Sequence, residues 1–187
     1  YHSSQNGRSA LGRVTAFLGA GGRPAAPHAG ALGVERLRVR FGGRNGAALE
    51  DVSARFPAGT VTVIAGASGA GKSTLVAALV GNLDDTAIVD GTVQGVDPRS
   101  TAYAPQVVHL AADTVGDELA LYSDDTAATA RRMIEFGLDR LADRSGSLLS
   151  PGELRRVAVA RALLRVDAGA SLLVLDEPTA HLDAEAA

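Results

Sequence analysis

From Val34 onward, apolar and charged positions alternate: Leu37, Val39 and Phe41 fall between Arg36, Arg38 and Arg40, a period of two that predicts a half-buried strand. Asn45-Gly46 marks a turn after it. Two unbroken apolar runs follow much later, Thr60 to Ala65 (TVTVIA) and Leu172 to Leu175 (LLVL), each bounded by glycine-rich or polar residues as buried parallel strands are. Between them the pattern predicts helices over Ser73 to Val80, Thr126 to Phe136 and Pro151 to Arg165. Strands alternating with helices predict an α/β layer fold with a mostly parallel sheet. Residues 1–33 contain Gly21-Gly22-Arg23-Pro24-Ala25-Ala26-Pro27 and read as linker or tag remnant, with a short amphipathic helix at Leu11 to Leu18.

Composition narrows the chemistry. Lys plus Arg number 18 against 21 Asp plus Glu, a net −3 that argues against nucleic acid as a partner, and there is no Cys to build disulfides or thiolate zinc sites. No apolar run approaches the ~20 residues that cross a bilayer, so a soluble, intracellular chain is predicted. Of the cationic side chains only one is lysine, Lys72.

That lysine stands in Gly66-Ala67-Ser68-Gly69-Ala70-Gly71-Lys72-Ser73-Thr74, which fits G-x-x-x-x-G-K-[ST] between the expected strand Thr60 to Ala65 and the expected helix from Ser73. Such a loop turns successive amides onto a triphosphate, with Gly66, Ser68, Gly69, Ala70, Gly71, Lys72, Ser73 and Thr74 as the binding positions and the helix N-terminus adding positive potential. Lys72 would reach the β and γ phosphates, and the Ser73 hydroxyl would ligate Mg²⁺. After the second apolar run come Asp176 and Glu177. At the carboxyl end of a central strand Asp176 is the candidate Mg²⁺ ligand, and Glu177 the candidate general base that polarises the attacking water.

A third motif, Leu149-Ser150-Pro151-Gly152-Glu153, opens the last helix. Ser150 suits the N-cap, Pro151 the first helical position, and Glu153 completes a capping box, which is a structural account sufficient in itself. Together with the loop and the carboxylates, however, the segment resembles the Leu-Ser-Gly-Gly-Gln signature of ABC transporter nucleotide-binding domains, with Pro151 and Glu153 as departures. The resemblance covers roughly Val34 to Ala187. It implies a P-loop NTPase with an ABC-type core sheet, an antiparallel β edge and a helical subdomain at about 107–165, lacking the C-terminal part of the core and the switch histidine.

The same resemblance implies that ATP and Mg²⁺ are bound and that two domains pair head to tail, Ser150 and Gly152 of one touching the ATP of the other. It makes Gln106 a sensor of Mg²⁺ and of the attacking water, and puts Asp183 near the dimer seam. Phe41 falls where the family has an aromatic on adenine, and equally on the apolar side of its strand. Transmembrane domains would be the other partners, at the cytoplasmic face of the cell membrane. The run LSPGELRRVAVARALLRV followed by LLVLDEPTAHLD is similar to bacterial exporters of cysteine and glutathione, which implies an ATPase that powers thiol export. The alternatives are an importer ATPase, a soluble ABC ATPase outside transport, and a regulatory half that no longer hydrolyses ATP.

Overall fold

The computed structural model describes residues 32–43 and 46–178. The amphipathic helix expected at Leu11 to Leu18, Asn45 of the turn, and Asp183 lie outside the described residues. The chain divides into two compact units that meet in sequence at Thr101 and Ala102.

In the first unit β1 (Leu32–Phe41) is the middle strand of an antiparallel sheet, flanked by β2 (Leu49–Phe56) and β3 (Ala87–Gln94). Its alternation works as the sequence predicts: Leu37 and Val39 are fully buried while Arg36, Arg38 and Arg40 are exposed. β1 starts at Leu32, so the expected linker gives up its last two residues to the sheet. The register slips between Glu35 and Arg38, where Arg36 takes a positive φ of 47°. Gly91 on β3 faces this bulge, and a Cβ there would lie 2.5 Å from the Arg36 carbonyl oxygen, so only glycine fits. Helix α1 (Lys72–Val80) lays Leu75, Ala78 and Leu79 into one core with Val34, Leu37, Val39 and Leu49.

Thr60 to Ala65 departs from expectation. It joins neither sheet, and Val61 and Val63 are 52% and 59% exposed. A run of β-branched residues forms a central strand only when ladders on its edges and layers on its faces take up its backbone and side chains, and among the described residues no strand pairs with it.

The second unit holds two neighbouring strands, β4 (Thr101–Ala104) and β5 (Leu172–Leu175), and three helices, α2 (Val115–Ala120), α3 (Thr126–Glu135) and α4 (Pro151–Asp167). α4 has apolar side chains on two faces and buries both. Val157, Ala160 and Leu164 pack with Val115 and Leu119 of α2, Ala128 of α3, Leu138 and Leu149. Ala158 and Ala162, one turn apart, pack with Ala102 and Ala104 of β4, with Leu173 and Leu175 against them. Small side chains at these positions let the helix approach the strands closely. Arg132 grips Asp167 through two hydrogen bonds of 2.9 and 2.8 Å, tying α3 to the end of α4.

Candidate active site

The phosphate-loop candidate is built by glycine conformation. Gly69 and Gly71 both have positive φ, 80° and 85°, and Gly71 is the residue from which α1 springs. Because the cap is glycine, it offers no side chain to the first amides of α1, and no acidic residue occupies the first turn of the helix. An end of that kind suits an anion. Lys72 lies at the first helical position and folds back over the loop, its Nζ donating to the carbonyls of Gly66 (3.0 Å) and Ala67 (2.9 Å). Ser73 and Thr74 follow in the same turn. Gly71 has a second duty invisible in the motif: a Cβ there would run into the Ala48 carbonyl oxygen and come within 2.6 Å of Leu49 Cδ2, so the loop packs directly on the start of β2.

In the second unit, β4 and β5 deliver the polar cluster. The Asp176 amide donates to the Ala104 carbonyl (3.0 Å), holding the ends of the two strands level. The residues that follow each strand therefore emerge side by side, and Gln106 Nε2 donates to a Glu177 carboxylate oxygen at 2.9 Å. Asp176 is buried and Glu177 exposed. Glu177 also adopts φ 50°, a left-handed conformation uncommon outside glycine and shared among the described residues with Arg36 and Asp51. The Asp176 carboxylate in this unit and the Ser73 hydroxyl in the other are each hard oxygen donors of the kind Mg²⁺ takes.

Ser150 caps α4 as the capping box requires: its hydroxyl accepts from the Glu153 amide (3.2 Å), and the Glu153 carboxylate accepts from the Ser150 amide (2.7 Å). That backbone bond in the first place, and the nearby Arg144 and Arg156 charges more weakly, hold the Glu153 carboxyl below its ordinary value. Ser150 is exposed and Gly152 half-buried. Phe41, at the end of β1, packs against the core of the first unit.

Two features went unread in the sequence. Arg155, buried on α4, donates to the carbonyls of Pro105 and Asp176. Glu118 of α2, fully buried, receives Arg161 of α4 at 2.7 Å and the amides of Ala111 (2.7 Å) and Ala112 (3.0 Å), while Arg161 also donates to the His109 carbonyl (2.9 Å) and lies 5.4 Å from the centre of the Tyr122 ring. Burial pushes the Glu118 carboxyl up, but Arg161 and the two amides outweigh it and leave the group below its ordinary value. Charged residues inside an apolar helix pattern were the available signal, since such groups stay buried only when paired.

The family model described as ABC transporter matches residues 49–180. The chain is 35% identical over 179 residues to the ATP-dependent lipid A-core flippase of Methylococcus capsulatus, covering 83% of this chain and 29% of that protein. It is 34% identical over 168 residues to the flippase of the same name from Escherichia coli K12, covering 78% and 28%. Among solved structures, a bacterial Atm1-family ABC exporter with ATP bound superposes with a TM-score of 0.66 at 26% identity, over 87% of this chain and 32% of the other. An inward-facing putative metal-chelate type ABC transporter gives 0.62 at 26%, over 82% and 62%. The chain spans about three tenths of the length of these flippases. With the glycine-built loop, the level strand ends and the capped signature helix in place, the chain belongs to the ABC transporter family.

Proposed function

We propose that this chain is the ATP-binding and ATP-hydrolysing part of an exporter, acting at the cytoplasmic face of a bacterial membrane. The observation that carries the reading is the Gln106–Glu177 hydrogen bond beside the buried Asp176. It makes a base and a polar sensor out of residues that the α/β topology alone brings together. The exporter assignment is supported by the flippase and Atm1-family relatives. Their names describe a lipid carrier and an ATP-bound exporter, and they lend no support to thiol compounds as the cargo.

In this reading the amides from Gly66 to Thr74 and the Lys72 ammonium hold the triphosphate, with Phe41 as the adenine contact. Ser73, Asp176 and Gln106 would hold Mg²⁺, which when bound neutralises charge developing on the phosphate oxygens. Glu177 accepts a proton from the water that attacks the γ phosphorus, and the Gln106 amide orients that water. Ser150 and Gly152 of a second copy close over the same nucleotide, with Asp183 at the seam between the copies.

The test is ATP turnover and ATP-dependent dimerisation of the full-length protein, with Glu177→Gln beside it. The variant is expected to bind ATP, lose turnover by about 10²-fold or more as a lost general base does, and accumulate as an ATP-trapped dimer. Unchanged turnover in Glu177→Gln, or a dimer that forms without nucleotide, would overturn the assignment.

A further inference from the structure

We propose that Arg155 is a positioning residue for Gln106 and Glu177: one buried guanidinium, reaching from the signature helix, sets the backbone on which both active-site side chains stand. This deepens the ATPase reading and rests on it.

The geometry is specific. Nη1 of Arg155 donates to the carbonyl of Pro105, the residue directly before Gln106, and Nη2 donates to the carbonyl of Asp176, the residue directly before Glu177. Both contacts fall just past the Asp176 amide bond to Ala104, where the two segments leave the sheet. Beyond that point regular ladder bonding no longer dictates the backbone, and Arg155 takes up one carbonyl from each segment. The two side chains that follow meet at 2.9 Å. Glu177 holds its left-handed φ of 50° at this place, a conformation that persists only where surroundings fix it.

The choice of residue follows from the task. A guanidinium presents donors in a planar fork and serves two acceptors at once, whereas an ammonium is a compact point charge. Arg155 is 3% exposed, and its buried Nε has no hydrogen-bond partner among the described residues. A buried donor left unmet costs stability. An apolar side chain here would remove that unmet donor but would leave the Pro105 and Asp176 carbonyls without their donors, so the specific gain from arginine lies in joining the two segments. Burial pulls the guanidinium below its ordinary value, and the negative charges of Asp176 and Glu177 oppose that pull. Arginine remains protonated nonetheless. The fork thus also places a fixed positive charge behind the two carboxylates. Arg155 lies on the helix that opens with Ser150, so the fork joins that helix directly to the backbone before Gln106 and Glu177.

The experiment uses the full-length protein with Arg155→Met and Arg155→Lys. In the nucleotide-free state, hydrogen–deuterium exchange of peptides spanning 104–108 and 174–178 is expected to quicken in Arg155→Met, while exchange over α1 stays as in the wild type. In turnover, kcat is expected to fall about 10–100-fold, as small misplacements of reacting groups do, with the KM for ATP within about twofold. Arg155→Lys, which keeps the charge and reaches one carbonyl, falls between the two. Combined with Gln106→Ala, the losses are expected to be less than multiplicative. Should Arg155→Met fail to fold, Arg155→Lys decides by the same measurements. Unchanged exchange in the two peptides overturns the proposal, as does a loss shared equally by exchange across all of α4 and by ATP binding. Failure of the ATPase reading is seen separately: Glu177→Gln in the unmodified background would then turn over ATP normally, while the exchange measurement still reads the Arg155 fork.

Discussion

Gln106 and Glu177, 71 positions apart, share a hydrogen bond of 2.9 Å. The candidate base is thus held by the residue read as the sensor of the attacking water, and an acceptor oxygen of Glu177 is partly occupied by an amide donor. For Glu177 to accept a proton from water, that bond must exchange for one to the water. Gln106→Ala removes both the holder and the orienting amide. It is expected to lower kcat about tenfold, less than Glu177→Gln, since the base remains while its geometry loosens. Steady-state ATP turnover across the three proteins checks the order.

The loop makes a sharper separation of fold from function. Among the described residues Lys72 bonds only carbonyls of its own loop, so Lys72→Ala is expected to leave the melting temperature within about 2 °C, as surface changes usually do. ATP binding, measured by calorimetry, is expected to be lost. Gly71→Ala is the opposite case. Its added methyl meets Ala48 and Leu49 at φ 85°, so both the docking of α1 and ATP binding suffer, with destabilisation of about 1–3 kcal/mol from strain and overpacking.

Glu118 ties the loop after Gln106 to α4 through Arg161, and its environment favours the charged form. Its carboxyl therefore titrates below the ordinary 4.5 in the folded protein and at about that value when unfolded. The stabilisation is complete above the unfolded value and disappears as pH falls through the lower, folded one. Glu118→Gln leaves Arg161 buried without its counter-charge and is expected to cost about 3–5 kcal/mol at neutral pH. The cost should shrink in acid below the ordinary carboxylate value. Denaturant titrations at pH 7 and pH 4 measure the difference, and a cost that does not diminish in acid would show that the Glu118 carboxyl is not held below its ordinary value.

Much of this is legible in the sequence because local chemistry dictates it. The arginine–aliphatic alternation of β1, the capping box of α4, and the loop glycines each specify a conformation within a few residues. Thr60 to Ala65 was not legible, because a central strand is made by its neighbours and a β-branched run says nothing about whether they are present. α2 escaped because six residues hold fewer than two turns of periodicity. Arg155 and Arg161 escaped for another reason. In sequence an arginine on a helix reads as a solvated residue, and only the carbonyls and carboxylate brought from 21 to 52 positions away turn it inward.

Ser150 carries two readings, and the capping box offers a way to part them. As an N-cap its hydroxyl accepts from the Glu153 amide, and the Glu153 carboxylate returns the favour to the Ser150 amide. Ser150→Ala and Glu153→Ala each dismantle one half of the same box. Loss of the Ser150 cap is expected to destabilise α4 by about 1 kcal/mol, and loss of the exposed reciprocal bond by somewhat less. If capping were the whole role of Ser150, turnover would follow stability in the two variants. In the proposed head-to-tail dimer, however, the exposed Ser150 hydroxyl also donates to the nucleotide of the second copy, and Glu153 does not. Ser150→Ala is then expected to lower ATP-driven dimerisation about tenfold beyond Glu153→Ala, the worth of one hydrogen bond to a charged acceptor. Sedimentation in the Glu177→Gln background, where the dimer accumulates, gives the comparison directly. Equal dimerisation by the two variants would leave Ser150 as a helix cap alone.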